Sequence, residues 1–254
     1  MRNIKLTTEY DGSLYHGWQK QSRESLDCLP TVQGEIEEAI LKLTGVHSDV
    51  FGCSRTDAGV HAFGHVSNFH TEATIPPDKF YFALNTVLPK TIRVKNSCEV
   101  PDDFHARFSC KGKKYLYKIY NSPTMSALLQ NRAWFEPTPL NVEKMAEAAS
   151  LFKGTHDFTA FQAVGCTAKS TVKTIFDAKV WVESEDRLQE ISFEVSGDSF
   201  LYNMVRIMAG TLVEVGKGKI QPHEIPDIIL SKDRRKGGAT APPHGLYLKE
   251  VWFE

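Results

Sequence analysis

The strongest constraint on the fold is a series of short extended segments joined by connections too brief for parallel crossovers. Ile4, Leu6, Thr8 and Tyr10 alternate with polar neighbours, the period of a half-buried strand. Similar extended patterns recur around residues 48–53, 63–70, 91–98 and 113–121. Two more, about 175–183 and 188–196, flank the acidic turn Glu183-Ser184-Glu185-Asp186, and a closing one holds Tyr247, Leu248, Val251 and Phe253. A parallel pair needs a crossover of roughly a dozen residues, whereas a hairpin needs only a few. Many of these connections are hairpin-like, so the chain is expected to be α+β with mixed, mostly antiparallel sheets.

Helical periodicity fills the gaps. From Thr31, apolar residues Val32, Ile36, Ile40 and Leu43 recur at helical spacing, and Gly45 supplies a stop. Pro76-Pro77-Asp78 opens a shorter helix carrying Phe80, Phe82, Ala83 and Leu84. Pro137 and Pro139 break the chain, after which Asn141 can cap a helix with Val142, Met145, Ala149 and Phe152 that ends near Gly154. A longer helix is predicted from about Ser199, burying Met204, Val205, Met208 and Leu212, and another short one near Pro222.

At 41% hydrophobic and 24% charged residues over 254 positions, the chain can build a substantial core. No run of about 18 apolar residues is present, so no transmembrane helix is expected. The N-terminus enters a strand pattern directly, without a signal-type apolar region. Cys28, Cys53, Cys98, Cys110 and Cys166 show no zinc or redox spacing, and fit buried free thiols in a reducing cytoplasm. A net charge of −1 argues against a nucleic-acid partner, but only the face that meets phosphate must be positive. Candidate basic runs are Lys111-Gly112-Lys113-Lys114, Lys217-Gly218-Lys219 and Lys232 to Lys236, the last containing Arg234 and Arg235. Composition leaves RNA undecided.

The chemistry concentrates in Arg55-Thr56-Asp57-Ala58-Gly59-Val60-His61. It sets one carboxylate beside an arginine and a glycine, between a strand end at 49–54 and a renewed extended pattern at 63–69. Such a loop can display a reactive group on a rigid scaffold. It can equally be an Asp capping its own turn. Arg55 points to the same side as Asp57 if the loop is extended. Tyr115 and Tyr117 share a strand face, as a packing pair would. Arg206 lies among Met204, Val205, Ile207 and Met208, surroundings in which an arginine needs an anionic partner.

Ser54 through Ala62 matches the signature Gly/Ser-Arg-Thr-Asp-Ala-Gly-Val-His-Ala, and the chain resembles the pseudouridine synthases of the TruA type. Further blocks agree in order: Tyr10-Asp11-Gly12 with Tyr15 to Gln19, Leu84-Asn85 before Leu88-Pro89, Phe104 to Phe108, and Lys114 to Tyr117. His156-Asp157-Phe158, Phe200 to Arg206 and Ala241 to Leu248 complete the series. Ser54 stands where many relatives carry glycine, a small-for-small change. The resemblance implies two similar α+β halves, 1–105 and 106–254, whose sheets join with an active cleft between them. It implies a cofactor-free and metal-free isomerase that converts uridines 38, 39 and 40 of the tRNA anticodon stem-loop to pseudouridine, working in the cytoplasm as a homodimer.

By that resemblance Asp57 is the catalytic nucleophile or base, and the guanidinium of Arg206 keeps the carboxylate charged. Tyr115 stacks on the target uracil, with Tyr117 as support. Arg55 helps displace the base from its stack, Leu201 lines the uracil pocket, and Asn85 gives polar support. Lys111, Lys113, Arg234 and Arg235 are expected to grip RNA phosphate, acting on affinity rather than turnover. A zinc hydrolase is the competing enzyme class, because His61 and His65 have helical zinc spacing with His70 nearby. Gly59, Gly64 and the extended pattern argue against a helix there, and no nucleophile turn for Ser or Cys hydrolysis is present. A catalytically idle RNA-binding module would not need Asp57, Tyr115 and Arg206 together.

Overall fold

In a computed structural model, residues 1–20, 29–166, 168–183 and 189–254 are described. Cys28 and the turn residues Ser184, Glu185 and Asp186 lie outside them. The chain divides into two compact units, 1–111 with 247–254, and 112–246. Each is α+β, with antiparallel pairing predominant and two parallel contacts among the described strands.

The first unit contains β1 (Arg2–Tyr10), α1 (Val32–Thr44), β2 (Phe51–Gly52), β3 (His61–Thr71), α2 (Phe80–Val87) and β4 (Ile92–Val100). β1 runs antiparallel between β3 and β4. On β3, β2 pairs antiparallel near Ser67 and Asn68, while Tyr247 and Leu248 of the final strand (Leu246–Trp252) pair in parallel near His61 and Ala62. α1 begins where the Thr31 hydroxyl accepts the Gly34 N–H at 3.2 Å, and ends at Gly45, whose φ is +73°.

Ile4, Leu6, Val32, Ile36, Phe69, Phe80 and Leu84 are fully buried, each contributing about 1.5–3 kcal/mol. Phe69 and Phe80 meet edge-on at 5.5 Å, seating α2 against the sheet. Phe82, on the same helix, is exposed. It lies two residues from both Phe80 and Leu84, which on a helix is the opposite face. Asn85 exchanges two hydrogen bonds with the backbone of Val94, at 2.8 and 2.9 Å, and so fastens α2 to β4.

The second unit contains β5 (Gly112–Asn121), β6 (Trp134–Glu136), α3 (Val142–Ser150), β7 (Gly154–Asp157), β8 (Val172–Val182), β9 (Gln189–Gly197), α4 (Met204–Gly216) and α5 (Ile225–Ser231). Its strands run in the order β5-β9-β8-β7, and β6 pairs in parallel with β5. Asn141 caps α3 by accepting the Lys144 N–H at 2.9 Å. Met145, Phe152, Phe158, Phe161, Phe193, Met208 and Leu212 form the core. α4 starts at Met204 rather than near Ser199, because Asn203 takes a left-handed conformation, φ +60°, that ends the preceding turn.

A buried ion pair closes this unit. Glu136 Oε2 lies 2.7 Å from Lys217 Nζ, and Glu136 Oε1 accepts the Thr138 N–H at 2.9 Å. Burial pushes the Glu136 carboxyl up, but Lys217 and Thr138 outweigh it and hold it below the usual carboxylate range. A depressed folded-state value stabilises above the unfolded value and loses that stabilisation as pH falls. Glu136→Gln is therefore predicted to lower stability by about 1–2 kcal/mol at neutral pH. Urea unfolding should show the gap closing as pH drops below about 4.5, and a gap independent of pH would contradict this.

Of the described cysteines only Cys53 is buried; Cys98, Cys110 and Cys166 are partly exposed, which corrects the expectation of buried thiols. No described helix is long and apolar enough to cross a membrane.

Candidate active site

β2 ends at Gly52, and residues 53–60 connect it to β3 without regular structure. Along this loop Arg55 is exposed, Thr56 buried and Asp57 half-buried. The alternation places Arg55 and Asp57 on the outer side while Thr56 anchors the chain. Gly59 adopts φ +80°, and the Val60 N–H returns to the Asp57 carbonyl at 3.1 Å to close the turn. No β-branched residue could hold that turn without strain.

The loop is gripped from the segment 10–18. Tyr10 Oη and Thr56 Oγ1 are 2.8 Å apart, and the Trp18 N–H donates to the Thr56 carbonyl at 3.1 Å. Gly17, at φ +82°, lies so close that a Cβ there would sit 2.3 Å from the Thr56 carbonyl oxygen. Beneath, His65 Nε2 contacts the Ser54 carbonyl at 3.0 Å. A carbonyl only accepts, so that nitrogen carries the proton. The His65 ring stacks on Trp18 at 3.6 Å between centroids. Two of the sequence blocks that carry the family resemblance are thus one packed assembly around Asp57.

His61 and His65 lie on extended β3, not on a helix. His61 Nδ1 accepts the Gly12 N–H at 3.1 Å, lies 3.3 Å from Asp11 Oδ1, and its ring stacks on Tyr247 at 4.7 Å. No group of three His, Cys, Asp or Glu among the described residues is placed to hold a metal.

The second unit holds Tyr115, Leu201 and Arg206. Tyr115 and Tyr117 face Val195 and Phe193 across the β5–β9 ladder. Their environments differ. Tyr115 packs edge-on against Phe200 at 5.1 Å. Tyr117 is fully buried and donates to the Pro242 carbonyl at 2.8 Å. Burial pushes its hydroxyl well above the ordinary value, although Arg206 pulls the other way. Leu201 is buried at the turn before α4.

Arg206 is half-buried, with Nε donating to the Ala241 carbonyl at 2.8 Å and Nη1 to Asn203 Oδ1 at 2.7 Å. Both of those acceptors are neutral oxygens. The chain from Ala241 to Gly245 is therefore laced to both β5 and α4. His244 in this segment is held below the usual imidazole range, first by burial, with Arg206 adding to the effect. Tyr117→Phe leaves the Pro242 carbonyl without its donor. We predict a loss of about 1–2 kcal/mol in urea unfolding, and unchanged stability would contradict the bond's role.

The basic residues differ in availability. Lys111 is exposed and Lys113 half-buried. Arg234 turns toward Gly237 and Thr240, at 3.5 and 3.1 Å. Arg235 is exposed but forks onto Asp233 at 2.7 Å. Lys217 and Lys219 are spent on Glu136 and Glu214.

Sequence reasoning missed Trp18, His65 and Glu37 as supports of the loop. Glu37 is buried on α1; its Oε1 accepts from Gln33 and from the Val50 N–H, at 3.0 and 3.3 Å, and Oε2 meets Lys20 at 3.3 Å. It thereby fixes the chain entering β2. A charge between Ile36 and Ile40 in the apolar stripe was the available signal. For Trp18 and His65 no local pattern existed.

A family profile described as tRNA pseudouridine synthase matches residues 6–109 and 148–254. Proteins named tRNA pseudouridine synthase A from Ruminiclostridium cellulolyticum and Acetivibrio thermocellus are each 54% identical over 253 residues, covering 100% of both chains. That from Clostridium acetobutylicum is 49% identical over the same span and coverage. With a profile matched across most of its length and full-length relatives at such identity, this chain belongs to the tRNA pseudouridine synthase family, isomerases that act on tRNA.

Proposed function

We propose that the protein isomerises uridines 38, 39 and 40 of the tRNA anticodon stem-loop, with Asp57 as nucleophile or base. The observation that carries this is the Asp57 loop itself. Its carboxylate is half-buried on a turn whose neighbours are tied down by Tyr10, Trp18 and His65. A rigid, partly accessible carboxylate suits a reaction that depends on placement rather than on a cofactor.

In the reaction the bond from sugar C1′ to uracil N1 breaks, the base turns, and C1′ bonds to C5. C5 loses its proton and N1 gains one, so no redox partner or energy source is consumed. Asp57 attacks C1′, attacks the ring, or removes a sugar proton to open a glycal route; each uses the charged carboxylate. Tyr115 stacks on the detached uracil and Leu201 walls its pocket. Arg206 supplies positive charge to the nucleotide being isomerised. Arg55, exposed beside Asp57, stabilises the displaced nucleotide, offsetting a flipping cost of a few kcal/mol. Lys111, Lys113, Arg234 and Arg235 contribute phosphate contacts, and the working form is a cytoplasmic homodimer.

The test is positional. Unmodified tRNA transcripts carrying uridine at only one of positions 38, 39 and 40 are incubated with the protein, and pseudouridine is mapped chemically. Product at each supports the assignment; product only elsewhere in the tRNA overturns it while keeping the chemistry.

A further inference from the structure

The block Phe104 to Phe108 carries chemistry that the isomerisation does not use. Phe108 is 76% exposed, and it stands in a group of rings rather than singly. The His105 ring lies 4.4 Å from it, and Arg107 Cζ lies 5.7 Å from its centroid. On its other side His105 meets Phe51 at 5.1 Å, and Phe51 is itself exposed. The result is a row of three rings with a guanidinium beside it, all within the first unit.

The row rests on a stiff support. Asn3 and Asn68 are both buried. Asn3 Nδ2 donates to the carbonyls of Pro101 and Phe104, at 3.0 and 2.9 Å. Asn68 Nδ2 donates to Asn3 Oδ1 at 3.0 Å, and Asn68 Oδ1 accepts the Ala106 N–H at 2.9 Å. His105 and Ser109 exchange bonds of 3.1 and 2.9 Å. A loop held this firmly while its aromatic side chains face solvent is preorganised for a partner.

We propose that Phe51, His105, Phe108 and Arg107 form an RNA contact, in which the rings stack on exposed nucleobases of the tRNA and Arg107 meets a phosphate. The inference rests on tRNA being the substrate. Stacking rings with an adjacent arginine are the elements single-stranded RNA needs. Three partly exposed rings fall well short of the roughly 800 Å² that each partner buries in a stable dimer. Asp102 and Asp103 are exposed at the start of the loop, so the contact is stacking with one phosphate partner rather than a broad basic grip.

The test measures tRNA affinity by filter binding, together with kcat and KM. Phe108→Ala should weaken binding and raise KM about 10-fold, the contribution of one stacked base, with little change in kcat. Phe108→Trp should restore both. Arg107→Gln should reduce the slope of log affinity against log salt by about one. Phe82→Ala, which removes a 67%-exposed phenyl from α2, should change neither. Wild-type affinity in Phe108→Ala and Arg107→Gln, while the wild type still makes pseudouridine, overturns the contact and leaves the substrate assignment standing. Loss of a dimer on sedimentation with tRNA affinity retained would reassign the row to a second copy of the chain, which also overturns it. A wild type that neither binds nor modifies tRNA defeats both.

Discussion

Asp57→Asn is expected to abolish pseudouridine formation, lowering the single-turnover rate by at least about 10^4-fold, the upper range for one positioned proton-transfer group. The substitution keeps size and most hydrogen-bonding capacity but removes the charge on which all three routes depend. Asp57 is half-buried and its turn is closed by the backbone bond from Val60, so folding should survive with stability within about 1 kcal/mol. Affinity for tRNA should change little, because many contacts elsewhere supply it. Single-turnover kinetics beside urea unfolding and filter binding separate these effects. A rate near wild type would remove Asp57 from the reaction, and a rate lost together with the fold would make it a structural residue.

The second large effect is expected at Gly17, which no reaction scheme invokes. Its φ of +82° costs an L-residue about 1–2 kcal/mol. A methyl group there would also sit 2.3 Å from the Thr56 carbonyl oxygen and 3.1 Å from the Asp57 carbonyl carbon. Those are backbone atoms, so the conflict is relieved only by moving the Asp57 loop. Gly17→Ala should therefore cost about 2–4 kcal/mol in unfolding. It should also slow the folded protein about 100-fold, since an ångström of misplacement has that scale of consequence. Rates measured under conditions where the variant is fully folded provide the check. A wild-type rate in the folded variant would mean that the loop tolerates displacement and that its rigidity is not part of the chemistry.

These two residues also mark what the sequence discloses. Asp57 stood out as a candidate because its loop is a contiguous string of mixed chemistry, and the helices of Thr31, Gly45 and Asn141 were legible because caps act locally. Gly17 was not, because its constraint comes from Thr56, far along the chain. The same holds for Trp18 and His65, whose stacking joins residues on either side of α1 and β2. The return of residues 247–254 to the first unit depends on parallel pairing of Tyr247 and Leu248 with His61 and Ala62, which leaves no local pattern. α4 was placed early because apolar periodicity extends back through Leu201, while Asn203 ends the turn by a backbone conformation that composition does not display. Short-range rules located the elements, and contacts between distant segments decided how firmly the Asp57 loop is held.

The most direct measurement follows the C5 proton. tRNA carrying tritium at C5 of its uridines is incubated with wild type and Asp57→Asn, and released tritium is counted while pseudouridine is mapped in the same samples. Wild type should release one tritium for each pseudouridine formed at positions 38, 39 and 40, and Asp57→Asn should give neither release nor product. Equal release and product from both proteins, above a no-enzyme control, would contradict the role of Asp57.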